Sequence, residues 1–303
     1  MRYERTPRHP CELMDASTSG FTMMQCFLRV ALALTLALLT GYARAAESPP
    51  LPTAAAEALA AVRANLESQV RGNFETPAQL FQRSEVLWSN LQTNMRALGA
   101  AVGDLPARVG PPDSQLTLDA MIIDVARAYA RAPATVETLL DRYGKTTPGS
   151  EQKAVMLSPR LLDEDVVPQQ EQAWIMLLMS PRTQLSNFAY PRVMQAIVRL
   201  RVRNALPLLE LRAVQDAADH QRLPRDLSAM RAINPAQALA IYARCIERSR
   251  DALTKQPKAR VIYVQEIRSA VDQNPALAEI ARTTATDAVD PLVREMFTEA
   301  TSE

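Results

Sequence analysis

The sequence predicts an all-α protein built of consecutive antiparallel helices joined by short turns. Three observations carry this. Proline repeatedly follows a capping residue, at Thr76-Pro77, Ser180-Pro181, Asn234-Pro235, Asn274-Pro275 and Asp290-Pro291, which is the pattern of an N-cap followed by Pro at the first helical position. Apolar residues recur at helical spacing along most of the chain, and no segment reads as a strand. Glycine is scarce, with eight in 303 residues and none after Gly149. The last 154 residues therefore contain no Gly-rich phosphate loop, dinucleotide fingerprint or Asn-Gly hairpin signal.

The first element is RVALALTLALLTGYARA, Arg29 to Ala45. Its apolar core, Val30 to Thr40, is about 11 residues, against roughly 20 for a membrane-spanning helix. That length fits the h-region of a signal peptide, and Ala43-Arg44-Ala45 is a small-x-small cleavage site. The expectation is a signal peptide over 1–45, cleaved after Ala45; the alternative is an uncleaved anchor. Met23 or Met24 makes a better start than Met1, giving MMQCFLR as a short basic n-region. Residues 46–52 form a Pro-rich linker.

The helices follow in order. The first is expected over Thr53 to about Arg71. The second follows the capping box Thr76-Pro77-Ala78-Gln79, with Leu80, Val86, Leu87, Leu91 and Met95 as its apolar side. Pro106 to Asp113 is a break. Ser114 opens a third helix carrying Leu118, Ile122, Val125 and Tyr129, and Pro133 starts a short one ending at Gly144. Lys145 to Ser150, polar and holding the last glycine, divides an N-terminal helical region (53–145) from a C-terminal one (150–303). Pro168 opens a helix with Ala173, Trp174, Leu177 and Leu178. Pro191 opens one that is apolar on most faces, which predicts burial all round. Leu206 to about Ala218 and Asn234 to Lys255 come next, the latter with the stripe Leu239, Tyr242, Ile246 and Leu253. Val261, Val264, Ile267 and Val271 make another stripe, and a final helix follows Pro291.

Within this series, QAIVRLRVRNALPLLELRAV, Gln195 to Val214, resembles the bacterial HEAT-type repeat, with Ala205-Leu206-Pro207-Leu208-Leu209 opening the partner helix. The resemblance extends over about residues 191–217. A fainter echo lies at about 261–281, where Gln265, Ile267 and Asn274 repeat Gln195, Ile197 and Asn204 at an offset of 70. No regular period runs through the chain. The resemblance implies an irregular HEAT-like superhelix; a helical bundle is the alternative. Such superhelices bind proteins or peptides on a concave face.

Composition narrows the chemistry. Cleavage at Ala45 removes five Arg and three acids, so 34 basic and 33 acidic groups become 29 and 30, a net charge of −1. That balance argues against nucleic acid and against an anionic membrane surface as partner. Cys11 and Cys26 leave with the leader, so Cys245 is left alone and no intramolecular disulfide forms. Among Ile241, Tyr242 and Ile246 it reads as a small buried apolar residue.

Few residues offer a site. His220 is the one histidine past the leader. Asp216 lies four before it, and Asp226 follows across Pro224, a set that can be written as metal ligands. The blander reading, a histidine paired with a carboxylate in the last helical turn, is preferred, and no metal or cofactor is expected. Asp163, Glu164 and Asp165 cluster in LLDEDVV without the glycine and spacing of a calcium loop. Arg192, Arg199 and Arg203 lie on roughly one helix side and are the candidates for gripping an anionic partner. Trp88 and Trp174 fall in apolar runs and read as packing residues. No serine stands in a nucleophile elbow. Glu85 and Glu171 were weighed as the single catalytic carboxylate of a lytic transglycosylase, but neither is followed by that family's Ser and Gly-Leu-Met-Gln-like segment.

The expectation is an exported, periplasmic, non-catalytic adaptor or assembly component of an envelope complex, acting by protein–protein binding. The rivals are a cell-wall carbohydrate enzyme using one helix-borne carboxylate, and a periplasmic carrier of an apolar ligand or peptide. No nucleic acid partner is expected, and the membrane enters only through an uncleaved leader.

Overall fold

Twelve α-helices and one short 3₁₀ turn make up the secondary structure of the described residues, and no strand occurs among them. The structure, a computed structural model, describes residues 51–69, 77–103, 116–131, 171–181 and 189–302. The leader, the Pro106–Asp113 break, the short helix from Pro133, the Lys145–Ser150 boundary and the Asp163–Asp165 cluster lie outside these residues. No described helix is long and apolar enough to cross a membrane.

The first three helices are α1 (Thr53–Glu67), α2 (Pro77–Val102) and α3 (Leu118–Arg131), and each packs on the other two. Their facing stripes are Ala55, Leu59, Val62 and Leu66 on α1, Leu91, Met95, Leu98 and Val102 on α2, and Ile122, Val125, Ala126 and Tyr129 on α3. Val86, expected on this face, is exposed, and Trp88 is half-buried. α2 and α3 come close at Gly99: a Cβ there would sit 2.5 Å from the Ala126 carbonyl oxygen. α3 is opened by Thr117, whose hydroxyl accepts from the Ala120 amide, three residues beyond the Ser114 start read from sequence. α1 ends at Glu67 rather than Arg71, with Ser68 as C-cap.

α4 (Glu171–Met179) packs on α3 and on α5 (Ala189–Arg199). Every residue of α4 from Ala173 to Met179 is buried, Trp174 completely. The helix enclosed on all sides is therefore α4. α5, expected to be so, keeps a wet stripe of Pro191, Gln195 and Arg199 at four-residue spacing. Ser180 does not cap a helix start. It ends α4, its hydroxyl donating to the Leu177 carbonyl.

A 3₁₀ turn (Arg203–Ala205) leads into α6 (Leu206–Gln215), followed by α7 (Leu223–Ile233). α7 is absent from the sequence-based reading, although Leu223, Leu227, Met230 and Ile233 have helical spacing and all are buried. Next comes α8 (Pro235–Arg248), capped by Asn234, whose side chain accepts from the Gln237 amide. The helix expected to reach Lys255 bends at Ser249 instead, and α9 (Arg250–Lys255) returns Leu253 to the core. α10 (Pro257–Gln273) buries Ala259, Tyr263, Val264, Ile267 and Ala270, whereas Val261 points to solvent. α11 (Leu277–Asp287) follows the Asn274-Pro275 start signal but is absent from the sequence-based series of helices. Asn274 caps the turn before it, accepting from the Ala276 amide, so the helix begins after the Asn274-Pro275 signal. α12 (Pro291–Thr301) starts at Asp290, whose carboxylate accepts from the Leu292 and Val293 amides.

Residues 52–303 form one compact unit. Several of its polar side-chain contacts span similar sequence separations. Arg212 to the Ser180 carbonyl spans 32 residues, Tyr190 to Asp226 spans 36, Glu210 to Arg244 spans 34, and Arg231 to Glu266 and Arg260 to Glu295 each span 35. Three longer contacts involve α1 and the turn after it: Arg63 donates to Asp119, Gln69 to the Met179 carbonyl, and Gln215 to the Leu66 carbonyl.

Candidate functional site

Arg199, Arg201 and Arg203 occupy the corner between α5 and α6, and all three are exposed. The corner is shaped by the end of α5. The Arg201 amide donates to the Val198 carbonyl at 3.0 Å, and the Val202 amide to the Ile197 carbonyl at 3.0 Å. These two bonds form a Schellman motif, which requires a left-handed residue at the first position past the helix cap. That residue is Arg201, with φ of 50°, the one non-glycine at positive φ among the described residues. Val202 and Ile197, at the two ends of the longer bond, are both buried and anchor the corner to the core. Leu200 and Val202 turn inward or partly so, which leaves the alternate residues, all arginine, facing out.

This differs from the sequence expectation. Arg199 and Arg203 are not on one helix face: the chain leaves the helix between them and reverses through Arg201. The Arg192 side chain lies outside the described residues. The Arg201 and Arg203 side chains make no hydrogen bond or ion pair among the described residues.

The Asp216, His220 and Asp226 set does not assemble. α6 ends at Gln215 with Asp216 as its C-cap, so the four-residue helical relation to His220 is lost. His220 is exposed in the turn beyond. Asp219 organises that turn, its carboxylate accepting from the Gln221 and Arg222 amides at 2.9 and 3.1 Å. Asp226 is carried inward by the first turn of α7 and is fully buried, accepting from the Tyr190 hydroxyl at 2.6 Å. No group of three or more His, Cys, Asp or Glu among the described residues is placed to hold a metal ion.

What the sequence reading missed is an interior polar cluster around Asp226. Arg212 is 2% exposed, donates to the Ser180 carbonyl at 3.1 Å and lies 5.8 Å from the Tyr190 ring centre. It joins the ends of α4, α5 and α6 near the first turn of α7. A charged residue inside the apolar run LLELRAV is the signal that marks it: Arg212 falls three and four residues after Leu209 and Leu208, on the core side.

A second interior group lies between α6, α7, α8 and α10. Tyr242 donates to the Leu227 carbonyl at 2.6 Å and meets Tyr263 edge to face, ring centres 6.2 Å apart. The Cys245 thiol points at the Glu210 carbonyl, 3.7 Å away. Burial pushes the Cys245 thiol up to about 12, and the Glu210 carboxylate adds to this against the pull of Arg248 and Arg244. Burial likewise raises Tyr242 and Tyr263 well above the ordinary tyrosine range. These groups stay protonated and act as packing. With Cys245 buried and His220 exposed, the two form no nucleophilic pair.

Glu171, at the first position of α4, has its carboxyl raised by burial. No family model, curated protein or solved structure matches the chain.

Proposed function

We propose that the protein is an exported, periplasmic helical adaptor or assembly component of an envelope complex, working by binding another protein. The observation that carries this reading is the Arg199–Arg203 corner, an exposed cationic edge fixed to the core through Val202 and Ile197. Support for export is the leader pattern of Arg29 to Ala45. The described surface gives no lead to an apolar carrier: its exposed large apolar residues are Val86, Val261, Ile280 and Val289, with no Leu, Met or aromatic among them.

The test is made in a Gram-negative host. Cells expressing the tagged full-length chain are crosslinked, fractionated, and the accumulated form is sequenced from its N-terminus. A soluble periplasmic form starting at Ala46, joined to one discrete partner, is the expected result. An uncut form in the membrane fraction overturns the compartment, and a chain that crosslinks to nothing overturns the adaptor.

One observation favours the carbohydrate-enzyme reading. Burial raises the Glu171 carboxyl, the direction a general acid requires. Clearing of a peptidoglycan suspension by the wild-type chain and not by Glu171→Gln would establish it in place of the adaptor.

A further inference from the structure

We infer that the α5–α6 corner is the docking site itself, and that its occupant is a short acidic segment of the partner protein, held by Arg201 and Arg203 with Arg199 beside them. This rests on the adaptor reading and names its contact. The argument begins with Arg201. The first left-handed position after a helix is the place where glycine is favoured and where a Cβ is a steric burden. Here an arginine fills it, with φ of 50°. Its side chain is exposed and makes no contact among the described residues that would offset the conformation. An unpaired charge held in a sparsely populated conformation points to a role outside the fold.

The geometry of the corner says what that is. Arg203 stands two residues on, also exposed and also without an ion pair among the described residues, and buried Val202 lies between them. Two guanidinium groups are thereby presented from one rigid turn. Guanidinium pairs best with carboxylates through two parallel hydrogen bonds, which favours Asp and Glu side chains on a short stretch of chain. The patch is too small for the alternatives. Nucleic acid and anionic lipid surfaces are gripped by many cations spread over a face. Past Ala45 this chain has 29 basic against 30 acidic groups.

The probe is a fluorescein-labelled hexaglutamate peptide, read by anisotropy at low salt against the full chain purified from the periplasm. The wild-type chain is expected to bind it. Arg201→Gly and Arg203→Ala are each expected to weaken binding about threefold, the range of a solvent-exposed charge pair. Arg294→Ala on α12, which removes the same charge elsewhere, leaves binding unchanged. Arg201→Gly also raises the melting temperature, so its loss of binding is not a loss of fold. An equal weakening by Arg294→Ala overturns the proposal, because net charge alone then explains binding. It is overturned as well if the wild-type chain ignores the peptide, or binds phosphatidylglycerol vesicles in its place. In cells, a discrete crosslink that survives in the Arg201→Gly, Arg203→Ala double variant removes the corner and leaves the adaptor standing. Absence of a crosslink in the wild-type chain removes the adaptor.

Discussion

Arg244 holds Glu210 with two parallel hydrogen bonds, Nε to one carboxylate oxygen at 3.1 Å and a terminal nitrogen to the other at 2.7 Å. The pair ties α8 to α6, and Arg248 adds a third contact to the same carboxylate at 3.3 Å. Glu210 is the more enclosed partner, with 14% of its side chain exposed. A double-mutant cycle on Glu210→Gln and Arg244→Met is expected to give a coupling of about 1 kcal/mol by urea unfolding, above the typical exposed pair because the contact is bidentate. Arg244 is one-third exposed, so high salt weakens the coupling only in part.

Gly99→Ala is expected to destabilise the chain, although alanine is the better helix former by roughly 1 kcal/mol. The added methyl meets the Ala126 carbonyl oxygen at 2.5 Å and the Ala130 Cβ at 2.6 Å. The first of these is backbone, so α2 and α3 must move apart. The net loss expected from such overpacking is about 1–2 kcal/mol. A calorimetric melting temperature equal to or above that of the wild-type chain contradicts it.

Arg201→Gly acts in the opposite direction. Relief of the left-handed conformation is worth roughly 1–2 kcal/mol, and the freer unfolded chain takes back part of it. A gain of about 0.5–1 kcal/mol in urea unfolding is the expected outcome, with Arg201→Ala gaining nothing because its Cβ remains.

Asp290 gives a dependence on acidity. Burial alone would raise its carboxyl, but the Leu292 amide, Arg250 and the Val293 amide stabilise the charged form and hold it below its ordinary value of 3.8. The folded state therefore binds its proton more weakly than the unfolded chain. Its contribution is complete above pH 3.8 and disappears as the pH falls through the lower, folded value. Asp290→Ala should cost about 1 kcal/mol at neutral pH, as loss of an N-cap does. The difference from wild type should close in stronger acid, followed by circular dichroism from pH 7 downward.

Cys245 is fully buried and its thiol is raised to about 12. Native protein should resist iodoacetamide at this residue, with modification mapped by mass spectrometry. The rate should follow unfolding as urea is added, since the thiolate and not the thiol reacts. Rapid labelling without denaturant would show that α8 opens locally.

The sequence reading recovered the all-α class because capping and periodicity act locally, as at Asn234-Pro235 and Asp290-Pro291. It failed where tertiary surroundings decide. α4 and α5 are both rich in apolar residues, and which is enclosed depends on what packs against them. α7 lacks a local capping signal: Arg222 stands at its N-cap without a side-chain hydrogen bond, and the Leu223–Ile233 spacing is what marks it. Arg199 and Arg203 were legible as a cationic pair. Arg201 was not, because a left-handed arginine has no sequence signature: the local rule predicts glycine there, and the fold overrides it.

The recurrence of polar contacts near 35 residues has a consequence for how the chain assembles. Loops of that length close early and lose little entropy relative to contacts across a whole domain, and folds dominated by them reach the native state quickly. A chain emerging N-terminus first, from a ribosome or a translocation pore, meets each of these partners soon after the first residue of the pair appears. Tyr190 needs only the next 36 residues to find Asp226, and Glu210 the next 34 to find Arg244. The C-terminal helices can thus be laid down in order, each on the ones just finished. Longer waits occur at the first helix and the turn after it: Arg63 meets Asp119 after 56 residues, and Gln69 and Leu66 meet Met179 and Gln215 after 110 and 149 residues. The last two bonds can close only after Met179 and Gln215 have been made, although α1 packs on α2 and α3, which precede both.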